Sequence, residues 1–202
     1  MADIDFFSKL PPEKPLAPGH PGANDDTSGL PVRRLNSLAL ATLIAGRGHE
    51  EVLGNGVRAA FGVDLPRGPR ATLGAVTFVG TGPGRWLVVS EAGDGATLEE
   101  KLAGAAGKAG SVCDQSDGLV VFELTGTHLR DVLAKMLPID IHPRVFGAGS
   151  AATTAMALIG VTFWQLDDAP CYRFAVARSY ETAFIRVLEA RHSEHRFALD
   201  AL

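Results

Sequence analysis

The stretch DQSDGLVVFELTG, Asp114–Gly126, opens with two carboxylates around a serine, passes a glycine and then turns almost wholly apolar. Its second half decides the fold. Gly118–Leu124 is a continuous valine-rich run, the pattern of a strand buried on both faces or nearly so. Its first half sets the functional question. Asp114, Ser116 and Asp117 are either a piece of chemistry or the polar lead-in to that strand.

Reading onward, Leu129, Val132, Leu133, Met136 and Leu137 form an apolar helical stripe that stops at Pro138. An irregular segment, PIDIHPRVFGAGS, leads to an expected strand at Leu158–Leu166. The turn DDAP returns the chain into a strand at Cys171–Ala177, and Ser179 can cap a last helix bearing Phe184, Val187 and Leu188. Reading backward, a short helical segment GVRAAFGV precedes a strand at Gly74–Gly80, the turn TGPG and a strand at Arg85–Ser90. A helix follows from Thr97, where Thr97-Leu98-Glu99-Glu100 fits a capping box. Hairpins alternating with helices indicate an α+β protein with helices packed on the sheets.

Residues 1–36 differ from the rest, holding six of the 12 prolines and the acidic patch NDDTSG. Such sequence favours an extended arm, and its Phe6, Phe7 and Leu10 suit a course along another subunit. The expected organisation is an arm at 1–36, a first α/β unit at 37–110 and a second at 111–202.

Composition narrows the function classes. The chain has 202 residues, 46% apolar and 21% charged, with a net charge of −4. Arg33–Arg34 and Arg67–Arg70 are too sparse for a phosphate-binding face, so no nucleic-acid partner is expected. The apolar runs at Leu38–Gly46 and Ala155–Trp164 fall short of the roughly 20 residues that cross a bilayer. Acidic residues stand where a secretory leader needs basic ones. Two cysteines, Cys113 and Cys171, make no disulfide scaffold and read as reduced, buried thiols. A cytoplasmic protein without a membrane partner is expected.

Each candidate for chemistry has a plainer explanation. Gly80–Arg85 (GTGPGR) lies between two strands rather than before a helix, so it reads as a hairpin turn and not a phosphate loop. His192 and His195 share a helical spacing but lack the further ligands a metal needs. His142 stands in the irregular segment without an identifiable nucleophile. Asp167–Asp168 is followed by Ala-Pro, which is turn chemistry. Ser116 has no histidine base nearby. No catalytic, cofactor-binding or metal-binding residue is assigned.

The ordered series GRWLVV, DQSDGLVVFELTG, LRDVLAKMLPIDIHPRVF, GVTFWQLD and YRFAVARSYETAFIRVLEA resembles the gamma-subunit family of bacterial heterotetrameric sarcosine oxidases, over roughly residues 38–190. The resemblance implies a shortened relative of the tetrahydrofolate-dependent aminomethyltransferases, such as the T-protein of glycine cleavage, with two ferredoxin-like α/β units. It implies alpha, beta and delta partner subunits, with FAD, FMN, NAD and tetrahydrofolate held in the larger alpha and beta subunits rather than here. It further implies an assembly that oxidises sarcosine to glycine, yields hydrogen peroxide and forms 5,10-methylenetetrahydrofolate, with this chain a non-catalytic structural subunit.

One departure from the folate enzymes stands out. They carry a strand ending in an Asp pair that helps activate folate, where this sequence has Gly160, Val161 and Thr162. Asp167–Asp168 come five or six residues later, a displacement of about 15 Å or more along a strand. The rival expectation is a stand-alone tetrahydrofolate-dependent aminomethyltransferase-like enzyme. A third is a small-ligand module regulating another oxidoreductase.

Overall fold

A strand apolar on both faces needs a packing layer on each side. Here helices supply one layer and a second sheet supplies the other. The computed structural model describes residues 30–190 and the backbone of residues 197–199. After β1 (Leu30–Leu35), the first unit runs β2 (Ala39–Ala45), α1 (Glu50–Phe61), β3 (Ala71–Thr72), β4 (Val76–Gly82), β5 (Arg85–Ser90), α2 (Gly95–Ala106) and β6 (Gly110–Asp114). The second runs β7 (Leu119–Thr125), α3 (Leu129–Ala134), β8 (Ala151–Met156), β9 (Ile159–Asp167), β10 (Cys171–Ala177), α4 (Glu181–Ala190) and β11 (Phe197–Leu199). One sheet has the order β3-β4-β5-β2-β6 and the other β11-β1-β7-β10-β9-β8. Each is a ferredoxin-like unit whose hairpin and preceding strand pair antiparallel.

Alternate residues of each strand serve different layers. Ala39, Ala41 and Leu43 join Leu53 and Val57 of α1 and Leu98 and Leu102 of α2 in one core. Val120, Phe122 and Leu124 join Leu129, Leu133, Phe184 and Leu188 in another. Between the sheets, Leu40, Val79, Leu87 and Val89 meet Val121, Ala151, Trp164 and Ala175. The layers therefore run helix, sheet, sheet, helix. In the helix-side core of the second unit, Phe163 stacks between Phe146 and Phe174 with centroids 5.2 and 5.0 Å away. Such pairs add about 0.5–1.5 kcal/mol each beyond burial.

The sheets divide the chain differently from the expected units. β1, expected as the end of the arm, is a full strand of the second sheet, paired antiparallel to β7 from Val32↔Leu124 to Leu35↔Val121. Arg34 of β1 donates to Glu181 of α4 at 2.6 Å, tying the strand to the helix layer. The rest of the expected arm, with Phe6, Phe7 and Leu10, lies outside the described residues. β6, expected beyond the 110/111 boundary in the second unit, instead completes the first sheet beside β2.

Several local expectations also shift. α1 begins at Glu50, six residues before the expected segment, although Gly54 and Gly56 lower its helix propensity. Gly56 is needed there, because a Cβ would stand 2.0 Å from the Ala105 carbonyl oxygen of α2. α2 is capped by Asp94, whose Oδ1 accepts from the Thr97 N–H at 2.8 Å, rather than by Thr97 itself. Arg178–Tyr180 forms a 3-10 turn before α4. β8 occupies Ala151–Met156, between the irregular segment and the expected strand, where no element is expected, and β9 starts at Ile159 because Ala157 and Leu158 form the tight turn between them.

The cysteines are not both buried as expected. Cys113 is exposed because β6 is an edge strand, and Cys171 is half-buried. Burial, with Glu123 and Asp167 nearby, pushes the Cys171 thiol up to about 11.

Candidate functional site

The Asp114–Gly118 turn joins the last strand of the first sheet to an inner strand of the second, and its hydrogen bonds run back to the chain itself. The Asp114 Oδ1 accepts from the Ser116 hydroxyl at 2.6 Å and from the Ser116 N–H at 2.9 Å. These two bonds hold the Asp114 carboxyl below its usual range. With its single proton on the carboxylate, the Ser116 Oγ receives the Leu40 N–H at 3.0 Å. The Gln115 N–H donates to the Leu40 carbonyl at 2.7 Å. Arg178 clamps the far side, donating from Nε to the Asp117 carbonyl at 2.7 Å and from Nη2 to the Ser116 carbonyl at 3.0 Å. The α2 N-terminus approaches so closely that a Cβ on Gly95 would sit 2.5 Å from both Asp114 Oδ2 and Ser116 Oγ. Ser116 is thus a hydrogen-bond relay between the Asp114 carboxylate and the Leu40 backbone.

Beside this turn lies a cleft of about 150 Å³, edged by Arg34, Asn36, Ser37, Ser116 and Arg178. Its two guanidinium groups are already engaged, Arg34 by Glu181 and Asn36, Arg178 by backbone carbonyls. A larger open groove of about 990 Å³ runs between α1 and the loop Asp64–Gly68. There Arg58 is paired with Asp64, and the Trp86 indole N–H donates to the Pro66 carbonyl at 2.9 Å.

The other nominated residues are spread over the molecule. Gly80–Arg85 forms the β4–β5 turn, as the reading of a hairpin required. Arg33 and Arg34 make intramolecular ion pairs with Glu123 and Glu181. Arg70 bridges the two units, donating to the Ser150 hydroxyl at 3.2 Å. His142 is exposed, its Nδ1 accepting from the Arg144 N–H at 3.2 Å. The segment around it is braced by Arg130, which donates to the carbonyls of Ile141 and Phe146 at 2.9 and 3.1 Å. Asp167 ends β9 and Asp168 lies in the turn to β10. His192 and His195 lie outside the described residues. Among the described residues, no group of three His, Cys, Asp or Glu side chains could hold a metal, and no helix is long and apolar enough to cross a membrane.

Two features escape sequence reading. The first is a charge network on the inter-sheet face. Arg173 of β10 donates to Glu123 of β7 at 3.0 Å and pairs with Glu91, just past β5, at 2.7 Å. Burial alone would lower the Arg173 pKa, but the bonds to both carboxylates raise it. Arg173 and Glu123 each interrupt an otherwise apolar strand pattern, and only the register that sets them opposite one another reveals the pairing. The second is the β8–β9 hairpin. Gly160 meets open space, and the Thr162 hydroxyl lies 3.0 Å from that of Thr153. No carboxylate stands there.

Comparison with known proteins is consistent with this arrangement. The sarcosine oxidase subunit gamma of an Arthrobacter species is 32% identical over 154 residues, covering 74% of each chain. A chain of the heterotetrameric sarcosine oxidase from Corynebacterium sp. U-96, solved with pyrrole 2-carboxylate, superposes with a TM-score of 0.72 at 28% identity, covering 85% of this chain and 86% of that one. The glycine cleavage aminomethyltransferase T from Bartonella henselae shares the fold, with a TM-score of 0.61 at 15% identity; this chain spans 48% of it. Residues 46–194 match the family described as sarcosine oxidase, gamma subunit, and with that match covering most of its length the chain belongs to that family.

Proposed function

We propose that this chain is a non-catalytic structural subunit of a cytoplasmic, heterotetrameric sarcosine oxidase. That assembly would convert sarcosine, oxygen and tetrahydrofolate to glycine, hydrogen peroxide and 5,10-methylenetetrahydrofolate. FAD, FMN, NAD and tetrahydrofolate would be bound by its larger alpha and beta partners, with a delta subunit completing the assembly. One observation carries the reading: at the family's most recognisable stretch, Asp114 and Ser116 are committed to Leu40, to each other and to the chain's own backbone. The resemblance to folate enzymes asks for a carboxylate where Gly160 and Thr162 stand, so these residues do not fit a folate-activating role.

The test is to isolate the complex formed by a tagged chain and its larger flavin-containing partners. Asp114→Ala with Ser116→Ala should lower the yield of complex while leaving turnover per intact complex unchanged. Loss of turnover in the intact complex would refute the structural role. Titrating the isolated chain with tetrahydrofolate separates the rival enzyme, since micromolar binding with one-carbon transfer would support that instead.

A further inference from the structure

We infer that the tip and free edge of the β8–β9 hairpin form a docking element for an apolar strand edge on a larger subunit. This inference rests on the hetero-oligomeric reading above. Leu158 is 97% exposed at the hairpin tip. Ala157 and Leu158 both adopt positive φ, 48° and 72°. Two-residue hairpin turns with this backbone normally carry Asn-Gly or Asp-Gly, since a Cβ strains the left-handed region. The chain therefore holds a large apolar side chain in water on a backbone that disfavours it. Strain of this kind concentrates at functional positions.

Among the described residues the edge beside it is equally unguarded. β8 is the last strand of its sheet, and β11 occupies the opposite end. Free edges are normally blunted by charge or proline. Between Arg144 and Asp167 there is no charged residue, and β8 reads AATTAM. The start of its free side is covered by the chain itself: the Ala151 N–H donates to the Pro69 carbonyl at 3.0 Å, and the Ala71 N–H to the Gly149 carbonyl at 2.8 Å. Beyond that point Ala152–Met156 pairs only with β9 among the described strands. On the face turned toward the first sheet, Thr153, Ala155 and Gly160 are exposed and uncharged. An added strand would continue the line of cover that Pro69–Ala71 begins, with Leu158 entering a pocket on the same partner. The absence of charge selects an apolar partner surface over an ionic one. A partner from a hetero-oligomer is favoured over a second copy because the superposable relative is a heterotetramer.

The experiment uses the complex of this chain with its larger flavin-containing subunits, read by dilution-dependent association and by flavin absorbance co-eluting with the tag. Ala157→Asn with Leu158→Gly relieves the turn and removes the anchor together. It should leave the isolated chain's melting temperature equal or higher, yet weaken association at least about 30-fold, the loss typical of an interface anchor. Ala155→Lys places a charge on the open face and should weaken association by about 10-fold or more. Association unchanged by both variants overturns the docking element while leaving the subunit reading intact. Failure of the unaltered chain to bind any flavoprotein overturns that reading itself. A wild-type chain that dimerises through Leu158 in light scattering would make the occupant a second copy and overturn the partner assignment.

Discussion

Arg173 pairs with Glu123 of the second sheet and with Glu91 just past the end of β5 in the first, and its removal should show how much that costs. Its side chain is 12% exposed and that of Glu123 14%, whereas Glu91 is 64% exposed and Arg33 57%. At about 4 Å and an effective dielectric near 20, a unit pair attracts by roughly 4 kcal/mol before desolvation. Removing one partner of a buried pair costs about 3–5 kcal/mol, largely because the other charge is stranded. Arg33 remains 2.7 Å from Glu123 and relieves part of that, so Arg173→Met should cost about 2–3 kcal/mol. For a chain of this size that lowers Tm by about 5–10 °C. Glu91→Ala breaks a largely solvated pair and should cost at most about 1 kcal/mol.

The double variant Arg173→Met with Glu123→Leu is the sharper test. It removes both charges, so it should recover much of the single-variant loss. Urea unfolding followed by far-ultraviolet circular dichroism gives all the free energies. If Arg173→Met costs no more than Glu91→Ala, or if the double variant is worse than both single changes added, the network is not a buried latch between the sheets. If Arg173→Met splits a single transition into two, it has uncoupled units that otherwise unfold together.

Gly95→Ala sets helix propensity, which favours alanine by about 1 kcal/mol, against a 2.5 Å approach to Asp114 and Ser116; net destabilisation in urea melts is expected, and net stabilisation would mean that the contact yields freely. Ser116→Ala strands the Leu40 N–H and should cost about 1–3 kcal/mol by the same measurement. In the folded chain, thiol titration near pH 8 should modify exposed Cys113 first and leave Cys171, held near 11, largely unreacted; equal rates would contradict its burial. The raised Cys171 value also fixes an alkaline slope. Its contribution to stability is complete below about pH 9.0 and lost as pH rises toward 11, so Cys171→Ala should flatten stability over that window.

The architecture was legible where side chains alternate between two apolar layers. Val120, Val121 and Phe122 announce a strand with both faces buried, and the structure assigns them to the helix-side core and the inter-sheet core in turn. The missed strands lack that signal. β8 packs mainly alanine and threonine, because one of its faces is open, and so no strand is read there. β1 follows a proline-rich stretch whose composition dominates any window that includes it. The start of α1 hides behind Gly54 and Gly56, the latter required by a helix contact that no local pattern encodes. The candidate site divides in the same way. That no histidine neighbours Ser116 in the sequence was visible locally, whereas its partner Leu40 lies 76 residues away and needed the sheet register.

The two sheets also explain why the unguarded surface lies where it does. The inter-sheet layer draws on Val79, Leu87 and Val89 from strands of six or seven residues, while β9 is nine residues long. The hairpin end of β9 reaches past them, since Ala151 and Trp164 are buried while Ala155 and Gly160 are exposed. At the covered end, Trp164 and Ala151 meet the first sheet directly. At the projecting end, Ala155 and Gly160 face no second layer among the described residues, and the tip carries Leu158 where a solvated turn would carry a polar residue or glycine. A free-standing protein would gain by placing charge there, as it does with Arg33 and Glu123 along the opposite part of the same sheet. The hairpin instead keeps an uncharged surface of the kind that a neighbouring subunit covers.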